Sequence, residues 1–440
     1  MNKILLVILL SIFLTNCSFD KKSGFWTEKK ISKNNQIDIK KLFEEEKVSK
    51  KEFNPNLKIN INTRLVNNSF INNFDNNNGR INYEGNLKTI SKFRFSNIRN
   101  ISEYEPEISF NDKHIIFFDG KGFILKFDNS SKLIWKKNYY TKSEIKTNPV
   151  LFFANNKNIL AIADSISKIY AININTGELL WSKKNFSPYN SEIKIYKDKL
   201  FAIDFDNVLR CYSLKDGNEL WNVNTENSFI KSQKKLSLII IDNKIYFNNS
   251  LGDITAVDIE KRQLIWQRPT QSNAFSQDSY SLKNSELIAD NSNLYFSNNK
   301  NQFYSIELKT GTINWIQKIN SSLKPTLIDD YLFTVSKEGF LLIIEKNSGN
   351  IIRSTDVLKK FNIKYLWEDK KLRDEITPAG FIVGKKNIYL TTDKGQLLLI
   401  DITTGSIKEI LKIDKEKISR PFVQNQNLYI IKDNSVLKLN

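Results

Sequence analysis

Through most of this chain apolar and polar residues alternate over short runs, and Asn, Asp, Thr, Ser or Gly interrupts them every few residues. A period of two predicts β-strands, and the clusters of small polar residues predict turns between them. The clearest stretch is Lys168-Ile169-Tyr170-Ala171-Ile172-Asn173-Ile174-Asn175-Thr176-Gly177-Glu178-Leu179-Leu180-Trp181. It predicts a strand, a tight turn in which Gly177 is free to take positive φ, and a returning strand that opens with a large aromatic.

The same pattern recurs along the chain. Cys211-Tyr212-Ser213-Leu214-Lys215-Asp216-Gly217-Asn218-Glu219-Leu220-Trp221 and Tyr304-Ser305-Ile306-Glu307-Leu308-Lys309-Thr310-Gly311-Thr312-Ile313-Asn314-Trp315 repeat it whole. The copies ending at Trp135 and Trp266 keep the tryptophan and lose the glycine. Those around Gly349 and Gly405 keep the glycine and carry Arg353 and Glu409 in place of tryptophan. The turn position falls at 131, 177, 217, 262, 311, 349 and 405, giving intervals of 46, 40, 45, 49, 38 and 56 residues. Such a period belongs to propellers or α-solenoids, and the strand-type alternation selects the propeller.

A further strand pattern, Gly85-Asn86-Leu87-Lys88-Thr89-Ile90 onward, lacks its partners, whereas residues 427–439 form two strands and stop. Joining the two completes one more blade and closes the ring without a free sheet edge. The expectation is an all-β, eight-bladed β-propeller of four-stranded antiparallel blades over residues 85–440, with seven blades as the alternative. By default the repeated Trp135, Trp181, Trp221, Trp266 and Trp315 dock adjacent blades, and their loss at Arg353 and Glu409 predicts looser packing between the last ones.

The N-terminus changes the picture of where the protein works. After Asn2-Lys3 comes an apolar run from Ile4 to Leu14, interrupted by Ser11 and too short to cross a bilayer. Leu14-Thr15-Asn16-Cys17 resembles a bacterial lipobox, so residues 1–17 are expected to be a lipoprotein signal, with Cys17 as the lipidated residue and Ser18 favouring the outer membrane. Residues 18–56 are polar and predict a flexible tether reaching about 35 Å root-mean-square. Within it Phe25-Trp26 suits packing or partner docking. Residues 57–84 are an Asn-rich lead-in, and the more charged residues 362–376 interrupt the repeats as a loop.

Lys plus Arg exceed Asp plus Glu by 18, but the lysines are scattered without a basic run, which favours solubility over nucleic-acid binding. Catalytic patterns are sparse. The one histidine, His114, opens a strand and has no Gly-x-Ser-x-Gly elbow to serve. The two cysteines form no zinc spacing, and Cys211 sits in a strand where a small buried residue is expected. No phosphate-cradling glycine loop or calcium-loop pattern occurs among the 15 glycines. No catalytic residue, metal ligand or cofactor is assigned.

The blade endings, best seen from Ala171 to Trp181 and from Ala256 to Trp266, resemble the pyrroloquinoline-quinone-type propeller repeat. Quinone-dependent dehydrogenases of that fold carry an adjacent cysteine pair that this chain lacks. Lipobox, tether and propeller together resemble the BamB family, propeller lipoproteins of the outer-membrane β-barrel assembly machinery. That resemblance implies a non-catalytic scaffold at the periplasmic face of the outer membrane. It implies docking on the central barrel-forming subunit of the machinery, with Phe229, Ile230 and Lys231 at the family's partner-binding loop. Two other readings remain at this stage: a periplasmic quinone-dependent oxidoreductase, and a propeller that binds an envelope ligand or glycan.

Overall fold

A computed structural model describes residues 51–61, 65–66, 80–98, 106–226, 234–270, 284–298, 301–362 and 372–440, all within one compact unit spanning 48–440. The signal segment with Cys17, the Phe25-Trp26 pair and the Phe229-Ile230-Lys231 loop lie outside the described residues, as does most of the 362–376 loop.

Eight four-stranded antiparallel sheets follow one another around a ring. Seven are built in order from consecutive strands. Blade 1 comprises Ser109–Asn111, His114–Phe118, Ile124–Phe127 and Leu133–Lys137, and blade 7 ends with Ile407–Lys412. The eighth takes three strands from the chain's last part, Phe422–Gln424, Asn427–Lys432 and Ser435–Leu439. Its fourth is Thr89–Arg94, paired antiparallel with Ser435–Leu439 so that Phe93 faces Val436. Phe93 is fully buried, and Lys88 and Asn440 exchange backbone hydrogen bonds of 3.0 Å. The ring therefore closes as the sequence pattern implied, and the count is eight.

The two middle strands of each blade explain why the apolar pattern is denser than simple alternation. Leu160, Ala161, Ile162 and Ala163 in succession are fully buried, because both faces of those strands meet a neighbouring blade. Fourth strands lie at the rim and alternate. In Leu179–Lys184 only Trp181 is buried.

Trp135, Trp181, Trp266 and Trp315 each lie on the third-to-fourth-strand turn of the next blade, against Gly177, Gly217, Gly311 and Gly349. A Cβ on Gly311 would come within 2.7 Å of the Trp266 ring, and at φ +71° the backbone there also suits glycine. The indole Nε1 of Trp181, Trp266 and Trp315 donates to Leu214, Leu308 and Lys346 carbonyls of the following blade at 2.9, 3.0 and 2.8 Å. Trp135 has no such bond because Lys126 Nζ reaches the Ile174 carbonyl first, at 3.0 Å. Trp221 Nε1 is also buried without a partner. Trp181→Phe should therefore cost about 1 kcal/mol more than Trp221→Phe, since only the first loses a hydrogen bond; urea unfolding of the two variants measures the difference.

The seam without tryptophan is not loose. Arg353 is fully buried and donates from Nη2 to the Ile402 carbonyl at 3.0 Å, the counterpart of the acceptor that the indoles use. Its Nη1 also bonds Thr403 and, at 3.0 Å, the Leu57 carbonyl. Residues 51–61, where the stretch expected as a tether meets the Asn-rich lead-in, here run along the rim of blade 6. Phe53 and Ser354 exchange backbone hydrogen bonds of 3.0 and 2.8 Å, and Ile59 is buried beside Leu358 and Phe361. At the next seam, Glu409 faces blade 8, whose third and fourth strands come from opposite ends of the described chain, so no tight turn is present for a tryptophan to cover.

Candidate functional site

Antiparallel alternation puts the starts of all innermost strands at one end of the ring and the tryptophan-covered turns at the other. At the first end Glu107, Glu192, Glu286, Lys324 and Arg420 each stand two residues before the innermost strand of their blade, which begins at Ser109, Lys194, Ile288, Thr326 and Phe422 respectively. They converge with Lys194 and Lys235 on the ring axis. Carboxylate oxygens of Glu107, Glu192 and Glu286 lie within 4.8 Å of one another.

Three carboxylates so close would repel, and cations interleave them. Arg420 bonds Glu286 through Nη1 and Glu107 through Nη2, both at 3.0 Å. Lys324 meets Glu286 at 3.1 Å, and Lys235 pairs with Glu107 and lies 3.8 Å from Glu286. Lys194 lies 3.5 Å from Glu192. These contacts cross the ring, linking blade 8 to blade 5 and blade 1 to blade 4.

Burial dominates the electrostatics of Glu286 and opposes its ionisation. Arg420, Lys324 and Lys235 together outweigh that penalty and hold the carboxyl well below the usual carboxylate range. Lys235 is likewise desolvated, yet Glu107, Glu286 and Glu192 raise its affinity for the proton above the ordinary lysine range. Lys194 goes the other way, pushed down chiefly by burial. The arrangement is an ion-pair network that pins the inner ends of several blades. A dication would compete with four side-chain cations for the same oxygens, so the donor set does not fit a metal centre. Nor does it fit a quinone polycarboxylate, whose own carboxylates would face three glutamates.

Among the described residues, no site residue expected from the sequence joins this network. Cys211 is buried in blade 3, and burial pushes its thiol up to about 12, which leaves it unreactive. His114 opens the second strand of blade 1, opposite Asn111. The network itself was missed because the repeats were aligned on the turn glycine, at the other end of each blade. A charge two residues ahead of an innermost strand is the signal that would have found it.

The family model described as outer membrane protein assembly factor BamB matches residues 120–355, from blade 1 into the last strand of blade 6. The outer membrane protein assembly factor BamB of Shewanella oneidensis is 22% identical over 322 residues, which is 69% of this chain and 76% of that protein. Among solved structures, BamB from Moraxella catarrhalis superposes with a TM-score of 0.63 at 15% identity, covering 80% of this chain and 99% of that one. Quinohemoprotein alcohol dehydrogenase from Comamonas testosteroni gives a TM-score of 0.59 at 10% identity, over 82% of this chain and 78% of that one. At these identities the structural likenesses show the propeller fold alone.

Proposed function

The chain belongs to the family of outer membrane protein assembly factor BamB, and from that premise we propose that it is a non-catalytic scaffold that assists assembly and insertion of β-barrel outer-membrane proteins. In this reading Cys17 carries the lipid that holds it to the periplasmic face of the outer membrane. The propeller then works through protein–protein contacts, with the central barrel-forming subunit of the assembly machinery as partner and Phe229, Ile230 and Lys231 as the contact loop.

The observation that carries the proposal is the match across blades 1 to 6. The site chemistry supports it, because the charged groups at the axis are engaged with one another. The rim also suits contacts. Fourth strands carry apolar pairs at or next to their starts, such as Leu133 with Ile134, Leu179 with Leu180 and Leu264 with Ile265, each 39–48% exposed. Their outer edges present backbone donors and acceptors, and blade 6 already takes an extended segment of this chain there, through Phe53.

The test is gentle detergent extraction from the native envelope, capture through a C-terminal tag and mass spectrometry. Near-stoichiometric recovery of the central barrel-forming subunit is expected, with crosslinks from a photoreactive residue at Phe229. Capture of the protein alone, or with redox enzymes or glycans, would overturn the proposal.

A further inference from the structure

Residues 51–57 occupy the outer edge of blade 6 more through backbone groups than through side chains. Phe53 and Ser354 exchange backbone hydrogen bonds of 3.0 and 2.8 Å along the fourth strand, Ile351–Asp356. Ser354 Oγ donates to the Lys51 carbonyl at 3.1 Å, and the Asp356 amide donates to the Glu52 carboxylate at 3.3 Å. After Phe53 a turn follows, closed by the Leu57 amide on the Asn54 carbonyl at 2.9 Å, and it brings the Leu57 carbonyl to Arg353 Nη1 at 3.0 Å. The groups on the ring side belong to the folded blade, and Ile402 and Thr403 hold Arg353 from the next one.

The segment itself is lightly held. Phe53 is 51% and Leu57 41% exposed, and Ile59 is the first buried residue of the stretch. Glu52 and Lys359 lie 3.5 Å apart at the surface, where such a pair contributes little. Its release would leave the outward amide and carbonyl of Ser354 without partners at a sheet edge, and Arg353 short of one acceptor. An edge of that kind is a template for another chain.

We propose that the outer edge of blade 6 is a binding site for a short segment of another polypeptide, a strand end followed by a turn, and that residues 51–57 occupy it in cis as an autoinhibitory contact. The paired backbone groups make no demand on side chains, whereas the Asp356 amide and Lys359 favour a carboxylate immediately before the paired residue. A linked segment competes from an effective concentration of the order of millimolar, so it excludes weak ligands and yields to tighter ones. Phe229, Ile230 and Lys231 have no part in this site, so the inference and the scaffold proposal can fail separately.

Fluorescence anisotropy of a labelled peptide of residues 51–61, titrated with the full chain in mild detergent, tests it. The chain carrying Phe53→Pro cannot donate from residue 53 to Ser354, so its own segment competes less. It should bind one peptide roughly tenfold or more tighter than wild type does. N-methylation of the peptide at its Phe53 amide should weaken binding by about tenfold, a comparison that wild type also provides whatever the proline does to folding. A peptide that keeps Glu52, Phe53, Asn54 and Pro55 within an otherwise altered sequence should still bind saturably. Its failure to bind would restrict the edge to this chain's own segment and overturn the inference. Equal affinity of wild type and Phe53→Pro, or of the plain and N-methylated peptides, would overturn it too. So would dimers of the full chain that the peptide dissociates, because the edge would then serve a second copy.

Discussion

Glu286→Ala is expected to lower the unfolding free energy by roughly 3–5 kcal/mol, the range found when one partner of a buried ion pair is removed. Glu286 is buried and its carboxylate is shared by Arg420, Lys324 and Lys235, so its loss leaves Lys324 without this carboxylate and Arg420 and Lys235 both leaning on Glu107. Glu286→Gln, which keeps an acceptor and the volume, should fall between wild type and alanine. Adding Lys324→Met to Glu286→Ala should recover part of the loss, because one uncompensated cation goes with it; a double-mutant cycle in urea gives the coupling. Acid provides a second reading. The Glu286 carboxyl is depressed in the folded state, so its stabilisation is complete above the ordinary carboxylate range and is lost as pH falls through the lower folded value. The acid-unfolding slope below about pH 4.5 should therefore be shallower in Glu286→Gln than in wild type. Equal slopes and equal urea midpoints would show that the network carries no net stability.

How much was legible depends on which end of a blade one considers. The tryptophan end announces itself, because an indole and a positive-φ glycine are chemically distinctive and sit a short, fixed distance apart. That register alone gave the blade order, and the unmatched patterns near Thr89 and Leu439 gave the closure. The axial end is written in Glu, Lys and Arg, which in a chain this rich in lysine look like ordinary surface residues. Only the three-dimensional ring brings Glu107 within reach of Arg420, 313 positions later in the chain. Substitution of the tryptophan by Arg353 was misleading for a related reason. An arginine in a repeat suggests solvent, yet at a seam its planar group offers several donors to a row of carbonyls that would otherwise be buried unpaired.

Arg353→Ala should accordingly rank with Glu286→Ala, costing roughly 3–5 kcal/mol. The substitution strands the carbonyls of Leu57, Ile402 and Thr403 and empties a fully buried volume. Burial pushes the guanidinium down to about 10, with Asp401 opposing, so the group is still a cation at neutral pH and carbonyl dipoles hold it. Arg353→Trp separates the contributions. If filling the seam with one donor suffices, as at Trp181 and Trp315, the tryptophan variant should recover about half the loss as judged by the urea midpoint. It cannot reach in two directions, so the bond to Leu57 should still be missing. The segment around Phe53 would then loosen even in the better-folded variant, and trypsin should cleave after Lys58 faster than in wild type. Unchanged cleavage together with full recovery by tryptophan would mean that Arg353 only fills the seam and does not fasten residues 51–61 to the ring.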